Sequence, residues 1–184
     1  MTRTVAVLVG SLRANSINQT VAEALAKVAE GKLTFDFVEI GDLPLYNDDL
    51  WQDGRGPEPV ERMRAQVAAA DGVLLVTPEY NRTAPGVLVN ALDWGSRPWG
   101  KSVWISKPAG CCGAAGGAIG TAAAQLALKA QMVTLGMVVM GHPEFYLKFE
   151  AGKFAKDGSV EDESLRGFLK TYADALAAHI ERLC

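Results

Sequence analysis

The sequence is poor in the side chains that usually act as nucleophiles, general bases or metal ligands. Its 184 residues include only two histidines, His142 and His179, and three cysteines, Cys111, Cys112 and Cys184. None of them occurs at the paired spacing of zinc sites or disulfide frameworks, so we expect no metal site. An enzyme of this composition would take its chemistry from a cofactor.

Strong charge of one sign and long hydrophobic runs are also missing. The net charge is −3, from 18 Lys and Arg against 21 Asp and Glu, whereas nucleic-acid binding usually needs a basic patch. No uncharged apolar stretch reaches the roughly 18 residues of a membrane span, and the apolar run Val5–Val9 is too short for a secretion signal. We therefore expect a cytoplasmic protein with unpaired cysteines that binds no nucleic acid.

What the sequence does contain is a regular alternation of buried strands and amphipathic helices. Apolar residues make up 49% of the chain, and its length predicts a single domain over residues 1–184. A segment at Leu33–Ile40 alternates like an edge strand. Four continuous apolar runs are typical of parallel strands covered on both faces: Val5–Val9, Gly72–Val76, Pro108–Cys112 and Met137–Met140. The pattern predicts an α/β doubly wound, five-stranded parallel sheet of flavodoxin-like order 2-1-3-4-5, with helices on both faces.

Apolar residues at helical spacing separate these strands. A long helix is predicted from about Ala118 to Leu135, after the fourth strand. The last helix carries its apolar residues between Leu165 and Ile180, with Ser159 as the predicted N-cap and His179 on its surface. In a doubly wound sheet, ligands bind at the carboxyl ends of the strands, where the strand order switches. The loops after the first, third and fourth strands are therefore the candidate site.

The first of these loops, Gly10–Asn18, opens directly into a helix. The free N–H groups and partial positive charge of a helix N-terminus favour phosphate, and Ser11, Arg13, Ser16 and Asn18 supply further donors. These residues predict a phosphate-monoester site. An ordinary Ser/Asn helix cap beside a solvated arginine explains them equally well.

The loop after the third strand, Thr77–Gly86, is polar and bounded by prolines. Its rigid main-chain amides are suited to hydrogen-bond the edge of a planar heterocycle. A proline-bounded turn whose Tyr80 packs on the core accounts for the same composition, so the loop alone leaves both interpretations open.

Taken together, the two loops resemble those of the NADPH-dependent FMN reductase family, in its bacterial chromate, quinone and ferric reductase branch. The resemblance extends to about Glu144 and rests on these segments: Gly10-Ser11-Leu12-Arg13 with Ser16 and Asn18, Thr77–Asn81, Pro85-Gly86 and Asn90–Trp94. It implies an FMN-dependent NAD(P)H:acceptor oxidoreductase, in which hydride passes through bound FMN in a ping-pong cycle. The implied acceptor is a quinone, with chromate, ferric complexes and azo compounds as alternatives, and NADPH or NADH is the co-substrate.

The resemblance also implies which residues bind FMN. It implies that no side chain acts as a catalytic acid, base or nucleophile. For the phosphate they are Ser11, Arg13, Ser16, Ile17 and Asn18. For the isoalloxazine they are Pro78, Glu79, Tyr80 and Asn81, with Gly113, Ala114, Ala115 and Gly116 of the fourth loop. Relatives often carry Thr-Ser-Pro-Gly in that loop, so its lack of hydroxyls here predicts main-chain contacts. The family is usually dimeric or tetrameric, and Trp51, Trp99 and Trp104 in loops favour an oligomer interface or a pocket wall.

A second nucleotide-binding motif matches in its residue pattern but not in the secondary structure predicted around it. Gly95–Ser102 fits the Walker A pattern G-x-x-x-x-G-K-[ST] of P-loop nucleotidases, which need a strand before the loop and a helix after it. Here a predicted helix precedes the segment, and Val103–Ile105 before Pro108 does not begin one. Arg97, within the segment, is a candidate to face an anionic substrate or the nicotinamide nucleotide, although a solvated loop arginine is equally compatible.

A flavodoxin-like electron carrier without catalysis of its own is the remaining alternative. Such carriers are usually far more acidic than the net charge of −3 found here. The composition therefore favours the enzyme.

Overall fold

The apolar runs form a parallel sheet in the computed structural model, which describes residues 2–155 and 158–184. Its strands are β1 (Arg3–Val9), β2 (Leu33–Phe37), β3 (Gly72–Val76), β4 (Pro108–Ala115), β5 (Val138–Val139) and β6 (Tyr146–Lys148). The first five lie in the order 2-1-3-4-5 and all their pairings are parallel, which confirms the predicted topology. The short β6, which the sequence patterns did not predict, pairs with the last residues of β4.

In the described part of the chain, five α-helices cover the two faces of this sheet. They are α1 (Ile17–Val28), α2 (Glu58–Ala69), α3 (Gly86–Gly95), α4 (Ala122–Thr134) and α5 (Glu163–Glu181). The alternate residues of β1 divide between the faces, since Val5 and Val7 pack against α1 and α5 while Ala6 and Leu8 pack against α2, α3 and α4. Continuous apolar strands are the consequence of this two-sided burial.

The β4 strand is longer than predicted, because β6 supplies partners for its end. Gly113, Ala114 and Ala115 pair with Tyr146, Leu147 and Lys148, so these three residues lie in the strand and not in the loop after it. The following helix correspondingly begins at Ala122 and not near Ala118. For β2 the error is the opposite one: the predicted strand was too long, since β2 ends at Phe37 and not at Ile40.

Two predictions for α5 were wrong. The N-cap is Asp162, whose carboxylate accepts a hydrogen bond from Leu165 N at 2.7 Å, and not Ser159 three residues upstream. His179 is buried, with Nε2 lying 2.7 Å from the carbonyl oxygen of Val138. The end of α5 is therefore joined to β5 by this hydrogen bond.

The prediction that Trp104 lines an interface or pocket was also wrong. Its indole is fully buried, Nε1 donates to Leu92 O at 2.9 Å, and the ring packs directly against Gly95. Trp51 stacks edge-on against Trp94 at 6.0 Å, whereas Trp99 is 89% exposed. Among residues 2–155 and 158–184, no helix has both the length and the apolar character needed to span a membrane.

Candidate functional site

The ends of β1, β3 and β4 bring three loops together at one edge of the sheet. Gly10 N donates to Val76 O and Thr77 N donates to Cys112 O, both at 2.9 Å, which aligns the three strand ends. At Gly113 an added Cβ would lie 2.1 Å from Thr77 O. The end of β4 and the first residue after β3 thus lie with main chain against main chain, where only glycine fits.

The first loop presents hydrogen-bond donors that the protein itself does not use. Ser16 is the N-cap of α1, and its Oγ accepts from Gln19 N at 3.2 Å. Within the described ranges, the N–H groups of Ile17 and Asn18 donate to no protein acceptor, as expected in a first helical turn. The Arg13 side chain is exposed and has no ion-pair partner among the described residues. This donor set matches a phosphate dianion.

Asn18 has a structural role that sequence patterns did not predict. Its buried carboxamide donates from Nδ2 to Ala114 O at 3.0 Å and accepts from Ala114 N at 2.9 Å. One amide hydrogen of Asn18 remains for a ligand. Ala114 is itself buried and has both main-chain polar groups bound to Asn18. Of the fourth-loop residues implied by the family resemblance, only Ala115 and Gly116 are therefore accessible, since Gly113 is also buried.

The third loop is a tight two-residue turn. Tyr80 and Thr83 exchange both main-chain hydrogen bonds, and Asn81 and Arg82 between them have φ of 52° and 64°. Two consecutive left-handed residues are typical of a type I′ turn. The Tyr80 side chain is 46% exposed, which excludes the alternative in which this ring packs into the core.

Glu79 faces α4 and not the open edge of the loop. Its side chain is 8% exposed, and Oε1 accepts from Arg82 Nη1 at 3.0 Å. Oε2 accepts from Ala123 N at 2.9 Å and from Ala124 N at 3.2 Å. The family resemblance implied a role beside the isoalloxazine, whereas the carboxylate is occupied by the first turn of a helix.

Shallow clefts separate the three loops. One of about 400 Å³ lies between the first and third loops and is lined by Leu12, Arg13, Tyr80, Gly86 and Val87, among others. Another of about 360 Å³ lies between the third and fourth loops and includes Asn81, Ala115 and Gly117. Leu12, Gly86 and Val87 were not predicted as site residues, although the position of Gly86 at the end of the third loop could have indicated it.

Glycines leave both clefts open. A Cβ added at Gly86, Gly116 or Gly117 would meet no protein atom within 4 Å, and none of the three has a positive φ. Neither packing nor backbone conformation therefore requires glycine at these positions. The open space suits a flat group lying between the loops.

Arg97 is not brought to this edge of the sheet. It lies two residues beyond the end of α3, whose ten residues extend about 15 Å from the third loop. Its Nε donates to Tyr46 Oη at 3.0 Å and its guanidinium lies 5.6 Å from the centre of that ring. The Walker-like segment Gly95–Ser102 begins where α3 ends and continues as loop into β4, which confirms that it is not a P-loop.

The buried thiols take no part in this site. Burial raises the pKa of the Cys111 thiol to about 12 and raises that of Cys112 well above its ordinary value. Both remain protonated at neutral pH and pack as small hydrophobes, as predicted. In the part of the chain that the structure describes, no group of three His, Cys, Asp or Glu residues could hold a metal ion.

Comparison with known proteins identifies the family. The family model described as NADPH-dependent FMN reductase matches residues 3–152. The chain is 48% identical over 176 residues to a 2-hydroxy-1,4-benzoquinone reductase of a Burkholderia species, covering 96% of this chain and 95% of that protein. It is 45% identical over 177 residues to a quinone reductase of Pseudomonas putida, covering 96% and 94%.

A solved structure agrees with this assignment. The flavoenzyme FerB of Paracoccus denitrificans, an NAD(P)H:(acceptor) oxidoreductase, superimposes with a TM-score of 0.95 at 47% identity, covering 98% of both chains. Sequence, strand order and loop arrangement lead to the same conclusion: the chain belongs to the NADPH-dependent FMN reductase family.

Proposed function

We propose that this chain is an FMN-dependent NAD(P)H:acceptor oxidoreductase whose acceptor is a quinone. The proposal rests on the convergence of three loops at the strand ends. These loops present unused hydrogen-bond donors at the N-terminus of α1 and glycine-lined clefts beside it. Membership of the FMN reductase family supports it. Bound FMN would supply the hydride and electron transfer that the side chains of this chain cannot perform.

The residues at the carboxyl edge fit FMN. The phosphate would be held by the N–H groups of Ile17 and Asn18, the hydroxyl of Ser11 and the guanidinium of Arg13. Ser16 would orient this loop as the helix cap, with its hydroxyl hydrogen free to donate. The flat ring would lie against the third loop, Pro78–Asn81, and against Ala115 and Gly116, where an added Cβ at Gly116 would meet open space.

The cleft between the first and third loops suits a flat, apolar substrate. Leu12 is 61% exposed and Tyr80 46% exposed, and both line this cleft together with Val87. We propose that NADPH or NADH and then a quinone occupy the same cleft in turn, with chromate, ferric complexes or azo compounds as alternative acceptors.

We also propose that the protein forms a homodimer or homotetramer in the cytoplasm. The proposed assembly is supported by exposed apolar side chains on α4 and beside it, Leu126, Val133 and Ile119. The proposed cytoplasmic location is supported by three free cysteines, Cys111, Cys112 and Cys184, because unpaired thiols are usual in reducing compartments.

The visible spectrum of the purified protein tests the proposed function. We expect flavin absorption that bleaches when NADH or NADPH is added without oxygen and returns when 1,4-benzoquinone follows. Continued NAD(P)H consumption with excess quinone would establish turnover. Failure to retain or take up FMN would overturn the proposal. Bound flavin that NAD(P)H does not reduce would favour the electron-carrier alternative instead.

A further inference from the structure

The helix α4 begins without a cap from its own sequence. Its N-cap residue, Thr121, makes no side-chain capping bond. The Thr121 hydroxyl oxygen instead accepts from Gln125 Nε2 at 2.9 Å, and the same Nε2 donates to Phe145 O at 2.6 Å. The N–H groups of Ala123 and Ala124 therefore find no acceptor nearby in sequence, although an uncapped helix end is costly when it is partly buried.

Glu79 supplies the missing acceptor from 44 residues upstream. Its Oε2 accepts from both Ala123 N and Ala124 N, at 2.9 and 3.2 Å. A carboxylate at this position also interacts favourably with the positive end of the helix. The third loop, which contains Glu79, is thereby attached to the first turn of α4.

This attachment is one of two that bracket the cleft between the third and fourth loops. The other is the contact of Gly113 with the carbonyl oxygen of Thr77. Between these contacts the chain runs from the end of β4 to Thr121, and added Cβ atoms at Gly116 and Gly117 would meet no protein atom within 4 Å. The pairing of Ala115 with β6, and the hydrogen bond that Gly120 N donates to Gly117 O at 3.1 Å, hold this stretch further.

We propose that Glu79 is a positioning residue that fixes the separation of the third and fourth loops, between which the flat ring of FMN is held. This inference rests on the proposed function for the identity of the ring. Glu79 lines this cleft, but both its carboxylate oxygens accept hydrogen bonds from α4 and Arg82, so we infer that it acts through the position of the loops. The interaction that matters is acceptance of the two helix N–H groups.

Three variants separate these roles. Glu79→Ala removes the acceptor, Glu79→Gln keeps an acceptor oxygen but removes the charge, and Arg82→Ala removes only the ion pair with an arginine that is 72% exposed. Hydrogen exchange at the N–H groups of Ala123 and Ala124 measures the capping bond directly. Flavin fluorescence on titration with FMN measures the consequence for the cleft.

In Glu79→Ala we expect exchange at Ala123 and Ala124 to be about tenfold faster, as for loss of a helix cap. We expect FMN binding to weaken about tenfold, because the ring must then order the fourth loop itself. Glu79→Gln should restore both quantities to within about threefold, since its amide oxygen still accepts. Arg82→Ala should leave the exchange rates at Ala123 and Ala124 within about twofold, because exposed ion pairs contribute little.

Unchanged exchange and unchanged FMN affinity in Glu79→Ala would overturn the inference. So would an equal loss of FMN affinity in the Ala and Gln variants, because the charge itself would then be what the ring requires. If the parent protein binds no FMN, the proposed function fails. The exchange rates at Ala123 and Ala124 would still decide whether Glu79 caps α4.

Discussion

Arg13 is the one guanidinium in the first loop, and no protein carboxylate among the described residues pairs with it. A charged hydrogen bond to a phosphate contributes about 1.5–3 kcal/mol. We therefore expect Arg13→Ala to weaken FMN binding by at least about tenfold, measured by fluorescence titration. Arg166→Ala, an exposed position on α5, is the matched control and should bind FMN like the parent. Equal affinity of the two variants would contradict the phosphate assignment.

Glycine positions at the edge of the sheet differ sharply in what they tolerate. A Cβ at Gly113 would lie 2.1 Å from Thr77 O and 2.4 Å from Thr121 Oγ1, whereas one at Gly116 would meet nothing within 4 Å. We expect Gly113→Ala to lower the free energy of unfolding by about 1–3 kcal/mol. Gly116→Ala should change it by less than about 0.5 kcal/mol. Urea denaturation of both variants checks this, and comparable losses would contradict it.

Individual site residues were predictable only as far as local sequence determines them. Ser16 as a helix cap follows from its position before Ile17. The pairing of Asn18 with Ala114 joins residues 96 positions apart, and no local pattern encodes it. The same holds for Glu79, because α4, whose first turn its carboxylate caps, begins more than 40 residues downstream. Sequence patterns thus located the loops, while the side-chain partners depend on the fold.

The strands, like the site residues, were predictable where the local sequence determines them and were missed where the fold does. The strand β3 was located to the residue and β1 without its first two residues, because two-sided burial produces uninterrupted apolar runs. The strand β6 was missed, since three residues, Tyr146–Lys148, are too few to show a period. The true end of β4 depends on β6 and was missed for that reason.

The beginning of α5 gives a test of capping. Ser159 and Asp162 are both favourable N-cap types, so composition did not distinguish them. Because Asp162 accepts from Leu165 N at 2.7 Å, we expect Asp162→Ala to destabilise the protein by about 0.5–2 kcal/mol. Ser164→Ala, at an exposed neighbouring position, should be within about 0.5 kcal/mol of the parent. Thermal unfolding of both variants measures the difference, and equal midpoints would refute this cap.

The turn between α2 and β3 carries a pH-dependent contribution. The N–H of Thr4, and then the guanidinium of Arg3, hold the pKa of Asp71 below its usual range. The stabilisation is therefore present above the ordinary aspartate pKa of about 3.9 and is lost as the pH falls through the lower folded value.

We expect Asp71→Asn to be less stable than the parent at pH 7 and to approach it as the pH is lowered below about 4. Urea denaturation of both proteins at a series of pH values measures the difference. A difference that does not vary with pH would show that the charge of Asp71 is unimportant.

At the scale of the whole molecule, two cores on opposite faces of the sheet account for most buried apolar residues. The outer face of α4 is unusual, because Leu126 is 61% and Val133 63% exposed. We expect light scattering to give twice or four times the chain mass of 19.6 kDa. Leu126→Glu should lower this mass, whereas Leu183→Glu, near the C-terminus, should not. A monomeric parent protein would contradict the proposed assembly.

The close approach of Gly113 to Thr77 has a practical consequence for redesign. Because an added Cβ at Gly113 would lie 2.1 Å from Thr77 O, randomising that position would mainly yield misfolded variants. The two clefts are lined instead by exposed side chains, among them Leu12, Tyr80 and Ile119. A mutant library aimed at new electron acceptors should therefore vary exposed cleft residues and leave Gly113 unchanged.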